Sequence, residues 1–408
     1  MVATPLSTNG RFIVDASGKR VRLAGVNWYG ASEDLGIPAG LDRTSRSALA
    51  NLIAGQGFNC VRFPFSVWMI EQTAPVPDQY LAANTDLHGS TPIQVYDACV
   101  RALTEEGLIV IPNCHLLDFG WCCSADDTNG LWFNDRWAVG KFTAAWQDIT
   151  KRYASNPLVA AMDIKNEPRQ ASVGGHAFSP TWGSADEIDL AAMDTAIENL
   201  IHKIDPHLGP GDQTNYAAMY TTIGNLIHQI NPHLLIICEG LGFATDLAGV
   251  ASHPVRLNQA NKVMYSMHDY SWSGHPQGQS RAAYLEQMNK AGGYILSEKI
   301  APLWIGECGQ NTNSLANFGL DPPAQAGSGA WWTNLQAWIT ENDIDWCYWA
   351  LNPTHAKGCS PGTTKIQYNW GDPEPYGLLT PDWREVKNPA IMNMLKSMMR
   401  PRTGPGVS

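Results

Sequence analysis

The chain has 408 residues, 44% of them hydrophobic and only 16% charged, which gives material for a large core and excludes a disordered chain. The formal net charge of -11 at pH 7 argues against nucleic acid or an anionic membrane as a partner and suits a neutral substrate. No stretch is long and apolar enough for a membrane span.

The start, Met1-Val2-Ala3-Thr4-Pro5, has neither the basic end nor the apolar core of a signal peptide. A cytoplasmic chain and a chain whose signal has been removed are both compatible with it. Nine cysteines are an odd number. Cys60, Cys114, Cys238, Cys308 and Cys347 lie in or beside apolar runs and are expected as buried thiols. Cys122, Cys123 and Cys359 lie in loop-like sequence and are candidates for a disulfide. There is no paired Cys-x-x-Cys spacing, so no zinc site is expected.

In chain order, residues 8–25 read as a hairpin, with arms at 11–14 and 20–23 around the turn 15–18. Its second arm runs on into the first of eight strand candidates, 24–28, 59–63, 108–113, 160–164, 234–238, 262–267, 303–306 and 345–349. Helix-like segments lie between them, clearest at 42–56, 91–106, 138–154, 184–204, 280–297 and 327–341, with a last one at 388–399. Eight strands alternating with helices predict an α/β protein, a (β/α)₈ TIM barrel. An open doubly wound sheet is the other reading, weakened because no glycine-rich phosphate loop follows the first strand. The stretch 197–208 recurs as 223–234, a local duplication expected to lengthen one helical connection. The repeated histidines, His202 and His228, are expected on the helix surface. Long loops at 116–137 and 354–376 would overhang the C-terminal face of the barrel. No linker or low-complexity tract divides the chain, so residues 1–408 are expected to form one domain.

Reacting groups of a (β/α)₈ barrel stand at the C-terminal ends of its strands. Those ends read Asn27-Trp28, Arg62, His115, Asn166-Glu167, Glu239, His268-Asp269-Tyr270, Glu307 and Trp349. Glu167 and Glu307, on strands four and seven, would face each other across the mouth. Two carboxylates with few cations nearby suggest glycoside hydrolysis.

The motifs Val61-Arg62-Phe63-Pro64, His115, Asn166-Glu167-Pro168, His268-Asp269-Tyr270, Trp304-Ile305-Gly306-Glu307 and Tyr348-Trp349-Ala350-Leu351-Asn352-Pro353 resemble glycoside hydrolase family 5, in the family's order. The resemblance implies Glu167 as acid/base and Glu307 as nucleophile of a retaining double displacement, with carboxyls about 5 Å apart. Arg62 and Tyr270, both expected among the substrate-binding residues, would also keep Glu307 ionised, and an apolar wall beside a negative Glu307 would keep Glu167 protonated. Asn166 would bind the sugar 2-hydroxyl, His115 and His268 would line the central subsite, and Trp349 would form its floor. Glu239 has no assigned role and is expected to be supporting. Lys165 is expected to point away from the site. Trp28, Trp121, Trp132, Trp272 and Trp346 are candidate sugar platforms.

Endo-β-1,4-glucanase is the activity the resemblance favours. Exo-β-glycosidase, mannanase and glycolipid glycosidase are the alternatives within the family. A polysaccharide or oligosaccharide substrate, no cofactor, no metal, a monomer and a secreted protein are expected. Two rival readings remain: a metal-dependent barrel hydrolase using His115, Asp118, His268, Asp269 and Glu307, and a non-catalytic glycan-binding barrel.

Overall fold

The computed structural model describes residues 2–123, 128–201, 214–275, 279–320, 328–357 and 367–399. Eight parallel strands close into a barrel: Ala24–Asn27, Cys60–Ser66, Ile109–Leu116, Ala161–Asp163, Leu235–Glu239, Val263–Asp269, Leu303–Cys308 and Asp345–Tyr348. They are numbered one to eight here in that order, and strand eight pairs back onto strand one through Trp346 and Ala24.

The strands are long apolar runs because both faces are covered. Outward residues such as Val61, Phe63, Phe65 and Val110 pack with Leu49, Ile53, Val95 and Leu103 of the surrounding helices. Each such side chain, fully buried, contributes about 1.5–3 kcal/mol of transfer free energy. Inward residues form a separate cluster that includes Cys60, Ile109, Ile111, Ala161, Leu235, Ile237, Met264, Trp304 and Cys347. Leu6, Ile13, Val21 and Leu23 belong to that cluster, so the N-terminal segment closes the barrel's base.

Two residues further along several strands, the same inward face turns polar. Arg62 follows Cys60, Asn113 follows Ile111, Asp163 follows Ala161, Glu239 follows Ile237 and Ser266 follows Met264. Side chains alternate across a strand, so this change of character along one face puts an apolar plug below and a polar layer at the mouth. The interior therefore stabilises the fold at one end and carries chemistry at the other.

The helices begin where the sequence supplies caps. Arg46–Gly55 starts at Ser45, whose hydroxyl accepts from the Ala48 N–H. Pro92–Glu105 starts with a capping box of Thr91 and Gln94 and a proline in its first turn. The segment expected as one helix at 280–297 is broken: Arg281–Met288, a π-turn over Asn289–Gly293, then Tyr294–Ser297. Two adjacent glycines weaken helix propensity there.

Three further expectations need correction. The N-terminal hairpin pairs Ser7–Asn9 with Phe12–Val14, one turn earlier than expected, and only a single bridge joins Val14 to Arg20. Asp15 folds the following turn locally instead, its carboxylate accepting from the backbone N–H groups of Ser17 and Lys19. The segment 354–376 is not all loop, since Thr354–Lys357 and Gln367–Pro373 form an antiparallel pair. His228 is buried, not on the helix surface: its Nε2 lies 2.9 Å from the Leu234 carbonyl and ties Tyr216–Ile230 to strand five. His202 and Cys359 lie outside the described residues.

Candidate active site

Arg62 is the centre of the polar layer. It is fully buried, and its five N–H donors meet five acceptors. Nε donates to Asp163 at 2.7 Å; Nη1 donates to Asn27 at 3.0 Å and Glu307 at 2.5 Å; Nη2 donates to Asn166 at 2.7 Å and Glu239 at 2.9 Å. Burial works against its charge, but Asp163, Glu307 and Glu239 more than offset that and raise its pKa well above the ordinary value. A guanidinium saturated in this way holds other side chains in place and leaves no donor for a sugar. Arg62 was expected to touch substrate; the structure makes it a positioning residue.

His268 and Glu307 pair with each other just past an irregularity of register between strands six and seven, the kind of feature that re-aims side chains at barrel rims. The Tyr270 hydroxyl donates to Glu307 Oε2 at 2.9 Å while Arg62 holds Oε1. Burial pushes the Glu307 carboxyl up, and His268, Arg62 and the Tyr270 hydroxyl pull it back. Burial also lowers the His268 pKa to about 4, against the pull of Glu307, so the imidazole is neutral near pH 7. Arg62 and Tyr270 are then the groups that favour a charged Glu307.

Glu167 follows Asn166 at the end of strand four, with its backbone at φ 45. That left-handed conformation is costly for a residue with a Cβ and needs to be held. Glu239 holds it from one side, accepting the Glu167 N–H at 2.8 Å, and Arg169 from the other, donating to the Glu167 carbonyl at 2.8 Å. His268 Nδ1 lies 3.0 Å from Glu167 Oε1 and 3.6 Å from Glu307 Oε2, between the two carboxylates. One carboxylate oxygen from each glutamate and one His268 nitrogen all lie within 4.8 Å of one another. Gly306 is part of this fit, because a Cβ there would come within 2.6 Å of Ser266 Oγ and 3.1 Å of His268 Nε2.

Above these groups opens a cavity of about 500 Å³ lined by His115, Asn166, Glu167, Glu307, Trp349 and residues of the surrounding loops. The Trp349 ring lies parallel to Tyr29, at 4.8 Å and 3°, and to His115, at 5.6 Å and 9°. Burial drives the His115 pKa well below its ordinary value, and its Nδ1 bonds Asn113 Oδ1 at 2.9 Å. Trp272 is 62% exposed, stacks on Tyr270 and lines the cavity, as do Trp121, Cys122 and Cys123.

Other aromatic expectations fail. Trp28 is buried, with its indole N–H on the Ala39 carbonyl and its ring on Phe63. Trp132 and Trp346 are buried as well, against Tyr216 and Phe58. None of the three lines the cavity. His268 sits beneath the cavity wall and is not part of its lining. Lys165 is buried, with its ammonium on the Asn166 carbonyl, and is likewise absent from the lining.

The five-residue metal set is not assembled either. Asp118 pairs with Arg136, and Asp269 is taken by His275, Tyr284 and Trp331. Cys122 and Cys123 both line the cavity, and the five cysteines expected as thiols are free and buried, as is Cys99.

Sequence reasoning missed the positioning carboxylate Asp163 and the cavity residues Phe243, His355, Glu374 and Tyr376. Glu374 accepts from the Tyr29 hydroxyl at 2.8 Å, behind the Trp349 floor. Position at a strand end would have pointed to Asp163; nothing local points to Glu374, which comes from the segment after strand eight.

A family model described as "Cellulase (glycosyl hydrolase family 5)" matches residues 14–355. A glycosyl hydrolase 5 family protein of Chamaecyparis obtusa is 28% identical over 434 residues, spanning 98% of this chain and 67% of the relative. An endoglucanase of Paenibacillus polymyxa is 27% identical over 413 residues, spanning 97% of this chain and 87% of the relative. Among solved structures, a hyperthermophilic endocellulase of Pyrococcus horikoshii superposes with a TM-score of 0.72 at 23% identity, covering 98% of this chain and all of its own. The catalytic domain of the major endoglucanase of Xanthomonas campestris pv. campestris gives 0.70 at 21% identity, covering 97% of this chain and 99% of that one. At these identities the structural likenesses speak for the fold, and the family match covers most of the sequence. The chain belongs to glycosyl hydrolase family 5.

Proposed function

We propose that this protein is a retaining endo-β-1,4-glucanase, with Glu307 as nucleophile and Glu167 as general acid and then base. The observation that carries the mechanism is the approach of the two carboxylates to within 4.8 Å. Retaining glycosidases keep their carboxyls about 5–5.5 Å apart, whereas inverting ones need about 6.5–9.5 Å to admit a water between them. Glu307, held by Arg62 and Tyr270, attacks the anomeric carbon while Glu167 protonates the leaving oxygen. Glu167 then takes a proton from water, which opens the glycosyl-enzyme. Asn166, fixed by Arg62, faces the cavity and suits the sugar 2-hydroxyl. Trp349 below and the exposed Trp272 to one side supply faces for pyranose rings.

The glucan linkage rests on the relatives called endoglucanases, in Paenibacillus polymyxa and elsewhere. Secretion fits a polymeric substrate and a Xanthomonas relative described as extracellular.

The test is viscosity loss and new reducing ends on a soluble β-1,4-glucan, with Glu307→Gln as control. A fast viscosity drop absent from the variant is expected. Slow viscosity loss with steady release of small sugars would mean exo action. An intact glucan beside a cleaved mannan, aryl glycoside or glycolipid would overturn the substrate.

A further inference from the structure

The Asp269 carboxylate has no part in the chemistry above, although its chain neighbours, His268 and Tyr270, both stand at the reacting centre. It is buried where strand six ends, and three other segments converge on it. His275 Nε2, from the turn that follows, lies 2.5 Å from Oδ1. Oδ2 accepts from the Tyr284 hydroxyl of Arg281–Met288 at 2.8 Å and from the Trp331 indole of Ser328–Asn342 at 3.2 Å. The side chains of Asp269 and His275 are each 3% exposed. Between them the chain turns tightly: the Ser273 N–H donates to the Tyr270 carbonyl at 2.9 Å, and Gly274 takes φ +78. This turn carries the exposed Trp272, stacked on Tyr270 at 4.9 Å and 10°. One end of the turn is therefore anchored by a strand and the other by a buried ion pair, and its exposed ring lines the cavity.

We propose that Asp269 and His275 are positioning residues for Trp272, whose ion pair fixes the turn 270–275 and so sets the affinity for long glucan chains; the inference rests on the glucan reading above. Both ring nitrogens of His275 face acceptors, Nε2 the Asp269 carboxylate and Nδ1 the Gln279 amide oxygen at 3.1 Å. The Gln279 amide nitrogen is itself directed to Gln287 Oε1 at 2.8 Å, which leaves the oxygen for the ring. An imidazolium has two N–H donors and satisfies both contacts; a neutral ring has one. The titratable groups that face the ring are the Asp269 carboxylate, from strand six, and Tyr284, whose ring centre lies 5.4 Å away. Burial pushes the Tyr284 hydroxyl well above its ordinary range, and the Asp269 charge adds to that, so it remains a donor. Burial opposes a charge on His275, but the bond and charge of Asp269, with the Gln279 and Gln287 amides, outweigh it and raise the histidine above its ordinary value. The ion pair is then complete below about pH 6.5 and is lost as pH rises through the raised value. What remains is a neutral hydrogen bond, roughly half as strong as a charge-assisted one, to hold an exposed turn. Tyr270 is kept in place by strand six and by its bond to Glu307, so the effect falls on binding.

The test measures KM on a long soluble β-1,4-glucan for wild type, Trp272→Ala and His275→Gln from about pH 6 to about pH 9. Dividing the Trp272→Ala value by that of wild type at each pH cancels titration of the two glutamates, which both proteins share. The ratio should be about fivefold at about pH 6 and fall toward unity as pH rises. His275→Gln should have a raised KM throughout, and adding Trp272→Ala to it should change KM by less than about twofold. Its kcat/KM on 4-nitrophenyl β-cellobioside should stay within about twofold of wild type. A ratio that is constant with pH, or a full Trp272→Ala effect in the His275→Gln background, would overturn the proposal. So would an equal loss on both substrates, which marks a merely structural link. Should His275→Gln fail to fold, the wild-type and Trp272→Ala profiles decide alone. The fluorescence difference between wild type and Trp272→Phe follows the ring without any substrate. It should titrate once above about pH 6.5, and a flat difference there would refute the role of the ion pair. If that titration appears in a protein that cleaves neither substrate, the glucan reading fails while the positioning of Trp272 stands.

Discussion

The Glu239 carboxylate accepts the backbone N–H of Glu167 at 2.8 Å while its other oxygen takes Arg62 at 2.9 Å. It connects the charged centre of the barrel to the one residue at the mouth of strand four whose backbone is held at positive φ. A buried acceptor placed in this way fixes where the acid/base side chain begins, without touching substrate.

Glu239→Gln keeps the volume and removes the charge, and half of the amide presents a donor where an acceptor is needed. It should lower kcat roughly 10- to 100-fold, equivalent to about 1.4–2.7 kcal/mol, with KM little changed. Steady-state kinetics on glucan beside a circular dichroism spectrum checks this; wild-type kcat in a folded variant would remove Glu239 from the positioning set.

Arg62 neutralises a cluster of three buried carboxylates, Asp163, Glu239 and Glu307. Arg62→Lys keeps a charge but cannot make five directed bonds. Breaking a buried ion pair typically costs about 3–5 kcal/mol, and the lysine variant should lose about 2–3 kcal/mol of that along with most activity. Denaturant unfolding measures the first. A variant as stable as wild type would mean that the network is interchangeable with a single point charge.

Burial holds His268 near a pKa of about 4 and His115 well below its ordinary value. An unfolded histidine takes a proton below about pH 6.5, so these two contribute stability that is fully present above pH 6.5 and lost as pH falls toward 4. For His268 the loss is on the order of 3 kcal/mol at most. Glu239 and Glu307 work the other way, since their raised values favour the folded state below about pH 4.5. Comparing the Tm of wild type and His115→Gln from pH 7.5 to pH 4 isolates one histidine. The variant should gain on wild type as pH falls; a constant difference would show that His115 is not the buried neutral group described.

Trp272 is exposed, lines the cavity and stacks on Tyr270, without itself bonding either carboxylate. Trp272→Ala should raise KM for long glucan chains about five- to tenfold and leave kcat nearly unchanged, the pattern of lost uniform binding. Short aryl glycosides should be hardly affected. A fall in kcat with constant KM would place the ring at the reacting sugar instead.

Strand existence and order were legible in the sequence because each barrel strand is an apolar run bounded by turns, as at 234–238, where the structure has Leu235–Glu239. Glu167 and Glu307 were legible for the same reason: a carboxylate that ends a buried strand stands at the mouth. What lay beyond reach was direction. Trp28 ends strand one like Trp349 ends strand eight, yet one packs onto the outward Phe63 in the helix-side core and the other lines the cavity. Alternation stops where the strand stops, so nothing local distinguishes them. Arg62 was read as a substrate contact because saturation by five acceptors depends on four other segments. His228 was misplaced since its partner, the Leu234 carbonyl, is set by how the helix packs on strand five.

The most direct test of the account is to trap the first chemical step. A 2-deoxy-2-fluoro-β-cellobioside with a dinitrophenyl leaving group should inactivate the enzyme and leave one fluorosugar on the peptide that carries Glu307. Mass spectrometry of the digest reads this. Attachment at Glu307 is the predicted result. Attachment to another residue, or an enzyme that turns glucan over with inverted anomeric configuration and never accumulates an adduct, would contradict the two-glutamate double displacement.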